Sequence, residues 1–235
     1  MLRRFISVIV LTLGMLLQTS PAALRALSLE PVGLTPVSLP TGSTPVMSPT
    51  QADFNGDGSP ESLALSGGRL TILSAGLPVW QSPTGWKVVE AEITDLNRDG
   101  SPEATLLVWR PFRPWPVDQW LPHGGRIDRF HNDDGNSCQL ILIGWRRSKY
   151  GEVWAGSALA DPVRSFAVAD LNGDNLQEMV TIEGSYTEPD SAPARALKAW
   201  EWNGFGFSVV SGIEGTFTQL ALVRTKPGPI LILVP

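Results

Sequence analysis

Asp95-Leu-Asn-Arg-Asp-Gly-Ser-Pro-Glu103 places oxygen-bearing side chains at the first, third, fifth and ninth positions of a short polar stretch. The same spacing occurs at Asp53-Phe-Asn-Gly-Asp-Gly-Ser-Pro-Glu61 and, altered, at Asp170-Leu-Asn-Gly-Asp-Asn-Leu-Gln-Glu178. Oxygens at alternate positions converge when the backbone curls, and a ring of carboxylates and carbonyls is what a hard cation such as Ca²⁺ takes. Three copies in one chain also mark a repeat architecture.

The flanks of each copy say what the phrase connects. An apolar run precedes it and another follows at once, at Ser62–Leu65, Ala104–Trp109 and Met179–Ile182. An EF-hand loop is longer and joins two helices; here Pro60 and Pro102 sit inside the phrase and aliphatic or β-branched runs follow. The phrase is therefore a strand-to-strand connection. Elsewhere the runs are short, rich in Val, Ile, Leu and Trp, and bounded by Gly, Pro, Asn or Asp, which predicts an all-β fold. Val79-Trp80 and Val153-Trp154 lie at near-equal distances before the second and third phrases, and Lys198–Trp202 leads to an Asn203-Gly204 hairpin signal. Each unit reads as strand, acidic loop, strand, hairpin, strand and strand, and four antiparallel strands per unit make a propeller blade.

Ala-Asp-Phe-Asn-Gly-Asp-Gly from Ala52 and Ala-Asp-Leu-Asn-Gly-Asp from Ala169 resemble the FG-GAP/VCBS repeats of integrin α-subunit propellers and secreted bacterial proteins. The resemblance covers about residues 46–210. It implies β-propeller blades with Ca²⁺ in the loops between first and second strands. The expected fold is thus an all-β, small or partial β-propeller of about four blades, at about 46–86, 87–162, 163–214 and 215–235. The fourth has no acidic loop and lacks outer strands of its own. Residues 23–45 either supply them or, given their prolines, form an extended linker.

The expected metal ligands are Asp53, Asn55, Asp57, Ser59 through its carbonyl, and Glu61 in the first copy. In the second they are Asp95, Asn97, Asp99, Ser101 and Glu103; in the third, Asp170, Asn172, Asp174, Leu176 and Glu178. A set without His or Cys selects Ca²⁺ over zinc or copper. Gly58 and Gly100, at the sixth position, supply the left-handed turn that makes the curl. Asn175 replaces that glycine in the third copy, which points to a weaker site, and Arg98 at the fourth position is expected to face solvent. The alternative is a set of Asp/Asn-rich turns that bind nothing.

Met1-Leu2-Arg3-Arg4 followed by an apolar run from Phe5 to Leu17 and small residues reads as a signal peptide ending near Ala22. The rival is an uncleaved anchor, but so short a run does not match the thickness of a bilayer core. Without Arg3 and Arg4 the chain has 16 basic and 23 acidic residues, a net charge of −7, which argues against nucleic acid and anionic membranes as partners. Cys138 is the only cysteine, so no internal disulfide forms, and its setting before an apolar strand reads as a small buried hydrophobe.

Residues 110–137 interrupt the second blade with Trp115, Trp120, His123, His131 and four arginines. Trp and Arg are the residues of binding hot spots, though a long hairpin tucked against the blade would look the same. The cluster Asn132–Asn136 is no fourth metal phrase, since its acids are adjacent. The remaining tryptophans read as packing between blades. The expected function is an exported, calcium-binding module for adhesion to, or binding of, a protein or glycan, secreted or in the periplasm or cell envelope. The alternative is a carbohydrate-active hydrolase or lyase using the insertion.

Overall fold

Strands form wherever the short apolar runs predict them, and their pairing follows the repeat. The computed structural model describes residues 24–113, 129–226 and 228–235; the signal-type segment 1–22 and residues 114–128 of the insertion, with Trp115, Trp120 and His123, lie outside the described residues. Seventeen strands and no α-helix occur among the described residues. Two come first, β1 (Arg25–Glu30) and β2 (Gly33–Val37), then the short β3 (Thr44–Pro45). Blade 1 holds β4 (Gln51–Ala52), β5 (Glu61–Ser66), β6 (Arg69–Ser74) and β7 (Leu77–Gln81). Blade 2 holds β8 (Lys87–Thr94), β9 (Glu103–Pro111), β10 (Asn136–Arg146) and β11 (Lys149–Ala155). Blade 3 holds β12 (Val163–Ala169), β13 (Glu178–Glu183), β14 (Ala194–Trp202) and β15 (Phe207–Phe217). The chain ends in β16 (Ala221–Arg224) and β17 (Ile230–Val234).

The fourth blade is built from both ends of the described chain. Its strand order is β3, β16, β17, β1, β2, with Arg25 opposite Val234 and Leu27 opposite Ile232. Residues 25–37 are thus paired strands: β1 covers the edge that β17 would otherwise leave open, where unpaired backbone invites association. Four antiparallel sheets in chain order make a four-bladed β-propeller.

The second strands of blades 2 and 3, β9 and β13, are buried on both faces, so their apolar runs are continuous rather than alternating, whereas β5 of blade 1 alternates and is half-buried along most of its length. On β9, Leu106 and Val108 pack toward blade 1, while Leu107 and Trp109 pack toward blade 3. On β13, Met179 joins the layer with blade 2, and Val180 and Ile182 join the layer with blade 4. The fourth cluster, Ala26, Val223, Leu231 and Leu233, draws only on blade 4 and Leu24 beside it among the described residues. Cys138 is fully buried on β10, its thiol pushed up to about 12 by burial, as suits a small hydrophobe.

Candidate metal centre

All three acidic phrases sit between the first and second strands of their blades: residues 53–60 join β4 to β5, 95–102 join β8 to β9, and 170–177 join β12 to β13. Each curls around its own first aspartate. Asp53 accepts the amides of Gly56 (2.8 Å), Asp57 (3.1 Å) and Gly58 (2.8 Å). Asp95 accepts those of Asp99 (3.0 Å) and Gly100 (3.1 Å), and Asp170 those of Gly173 (2.7 Å), Asp174 (3.1 Å) and Asn175 (3.0 Å). The fifth residue repeats the device one step on: Asp57, Asp99 and Asp174 accept the amides of Ser59, Ser101 and Leu176. Asn55, Asn97 and Asn172 accept the amide two residues ahead and donate their side-chain N–H to the carboxylates at the fifth and ninth positions.

The ninth residue closes each loop at the head of the second strand, where it is covered by the blade. Glu61, Glu103 and Glu178 are all buried. In the first and third loops the second oxygen of this glutamate accepts a backbone amide, Phe54 (2.9 Å) and Leu171 (3.0 Å). In the second loop Glu103 Oε2 is buried without a partner. There Asp95, Asp99 and Glu103 each bring a carboxylate oxygen within 4.8 Å of the others. Burial first, then Asp99 and Asp95, pushes Glu103 up to about 8, and Asp95 is raised too, chiefly by burial. Three converging carboxylates with one unmet buried oxygen are a donor set short of positive charge, which fits a hard cation. Asn97 adds a neutral oxygen if its amide turns over.

Exposed Asp57 is lowered, first by the Ser59 amide and then by Asn55. The third loop is arranged differently from either. Arg98, expected to face solvent, instead crosses from the second loop and donates to Glu178 Oε1 at 3.1 Å. The Asp95 amide donates to Gln177 Oε1 at 2.7 Å. A guanidinium therefore already lies beside the ninth residue of the third loop. The reason is geometric: β8 and β12, the first strands of blades 2 and 3, approach each other around the axis, so consecutive loops come within reach of a long side chain. The sequence carried one signal of this. Gln177 stands where the other copies have Pro60 and Pro102, and it is Gln177 that makes the bridge.

In the insertion, Asn132–Asn136 forms a turn, with the Gly135 amide on the Asn132 carbonyl and the Asn136 amide on Asn132 Oδ1. His131 packs on Phe112 with ring centroids 5.2 Å apart. Of the tryptophans, Trp109 is buried and Trp154 packs with Trp202 and Phe207, whereas Trp145 is exposed and pairs with Tyr150 at the blade's outer turn. No protein-family model matches the chain, and no curated protein matches it.

Proposed function

We propose that this chain is an exported, calcium-stabilised β-propeller of the FG-GAP/VCBS kind that acts by binding or adhesion to a protein or glycan rather than by turnover. The observation that carries the metal is the second loop, where Asp95, Asp99 and buried Glu103 converge and one Glu103 oxygen has no partner. The signal-type segment ahead of the domain supports export to the periplasm, envelope or medium, where calcium is available. Ca²⁺ would offset carboxylate repulsion at the mouth of the strands and fix the first strand of a blade to its second; that role is structural. Among the described residues no cationic side chain pairs with the carboxylates of the first two loops, and the third has Arg98 beside its ninth residue, Glu178.

Thermal melts in Ca²⁺, Mg²⁺ and EGTA test this. Ca²⁺ should raise the melting temperature well above that in EGTA, with Mg²⁺ less effective, because Mg²⁺ demands a smaller and more rigid shell. Equal melting temperatures in Ca²⁺ and EGTA would remove calcium from the proposal. Display of the protein on a panel of glycans and envelope proteins tests binding; capture of none would remove adhesion.

A further inference from the structure

The apolar layer between blades 1 and 2 ends in polar side chains at the face opposite the acidic loops. Leu106 and Val108 on β9 and Ile143 and Ile141 on β10 build that layer. Period two carries the same two rows on to Arg110 and Gln139, some seven residues and about 23 Å along the strand from Glu103. There a cavity of about 550 Å³ opens, lined among others by Trp86, Arg110, Phe112, Arg113, Gln139 and Glu152. Its size is that of a small-ligand site.

Three features of the lining ask for different parts of one ligand. Gln139 is 6% exposed; its Nε2 donates to Ser137 Oγ at 3.0 Å, while its buried Oε1 has no donor among the described residues. That acceptor calls for a hydroxyl or amide proton, since an unmet buried oxygen is costly. Arg110 and Arg113 line the cavity together, and Glu152 is the carboxylate among the lining residues, 3.9 Å from Arg110. Among the described lining residues one positive charge is left over, in a chain whose net charge is negative, and that excess calls for an anion. Trp86, which carries the Arg110 guanidinium 5.2 Å from its ring, and Phe112 add flat apolar faces. A simple anion leaves Gln139 and the rings unused, and a neutral sugar leaves the extra guanidinium unpaired.

We propose that this cavity binds an acidic saccharide, a chain of uronic acid units. Its carboxylate pairs with Arg110 or Arg113, a hydroxyl donates to Gln139 Oε1, and the C–H face of the ring rests on Trp86 or Phe112. The assignment rests on the reading of the chain as a binding module and is independent of calcium.

Calorimetric titration of the full chain with trigalacturonate, maltotriose and acetate tests it. Trigalacturonate should bind about tenfold or more tightly than either other probe, and Arg113→Gln, at an exposed position, should weaken it about tenfold with an unchanged melting temperature. Arg110→Gln should weaken it similarly. Trigalacturonate binding no tighter than maltotriose, or binding unaltered in both arginine variants, overturns the proposal. Repeating the wild-type titration in EGTA below the melting temperature keeps the two readings apart. A chain that binds calcium but no saccharide loses this site alone, and one that binds saccharide equally with no calcium bound loses the metal alone.

Discussion

Each acidic loop contains two left-handed residues, at its fourth and sixth positions. They are Gly56 and Gly58 in the first loop, Arg98 (φ 61°) and Gly100 in the second, and Gly173 and Asn175 (φ 66°) in the third. The sixth position was legible because Gly and Asn tolerate that conformation. The fourth carries the same signal in Gly56 and Gly173, but Arg98 hides it. Nothing lies within 4 Å of a Cβ added at Gly100, so Gly100→Ala costs only backbone strain and should destabilise the fold by about 1–2 kcal/mol in denaturant melts. Arg98 has two opposed effects: its backbone is strained, and its side chain neutralises buried Glu178. Arg98→Ala removes the charge and keeps the strain, at an expected cost of about 2 kcal/mol or more. Arg98→Gly removes both, and should be about 1 kcal/mol less damaging than Arg98→Ala. Equal stability of the two variants would contradict the assignment of strain to this residue.

At the scale of the strand, continuous apolar runs on β9, β13 and β17 were readable as doubly buried second strands, but the surroundings of the first strands were not. β8 alternates, which gives a strand without saying where its glutamates go. Glu90 turns to β12, accepting the Ser165 hydroxyl (3.2 Å) and the Phe166 amide (3.0 Å), and Glu92 leaves one buried oxygen unpartnered. Burial is the first cause that pushes both up to about 7 from an ordinary 4.5. Between those values the folded chain holds protons that the unfolded chain has released, so stability falls as pH rises from about 4.5 to about 7, by at most about 3 kcal/mol per group. Glu90→Gln and Glu92→Gln should each match the wild type at pH 4 and melt at a higher temperature at pH 8. Melting curves that run parallel across this range would contradict the raised carboxyls.

At the scale of the molecule, three blades could be measured off the sequence because the acidic phrase recurs at the same structural position. The fourth could not be settled, because its strands come from opposite ends of the described chain and no local pattern joins Arg25 to Val234. The prolines of the N-terminal segment argue for a linker. Yet Pro31 lies in the turn between β1 and β2, and Pro36 lies in β2, the outermost strand, where a missing N–H costs no ladder bond. Closure then depends on Leu27, which is buried in the layer with blade 3. Leu27→Asp puts an unpaired charge into that layer. It should abolish the cooperative transition in chemical denaturation, whereas a substitution at exposed Val32 should leave it intact.

The cavity residues were missed for a related reason. Arg110 and Gln139 lie 29 positions apart in the sequence and meet only because β9 pairs with β10. The acidic phrase, by contrast, is local. Its first, third and fifth residues organise the loop by bonds within seven residues, and the links between the second and third loops, Arg98 to Glu178 and the Asp95 amide to Gln177, required the fold. Arg98 also separates the third loop from the others, since its guanidinium competes for the position a cation would take beside Glu178.

Counting calcium directly is the most pointed test of the metal assignment. Calorimetric titration of the calcium-stripped chain, beside Glu103→Gln, should show about two ions bound with dissociation constants on the order of 10⁻⁴ to 10⁻³ M in the wild type. The variant should bind one fewer. A wild-type chain that binds no calcium, or a variant that binds as many ions as the wild type, would contradict the assignment of the acidic loops as calcium sites.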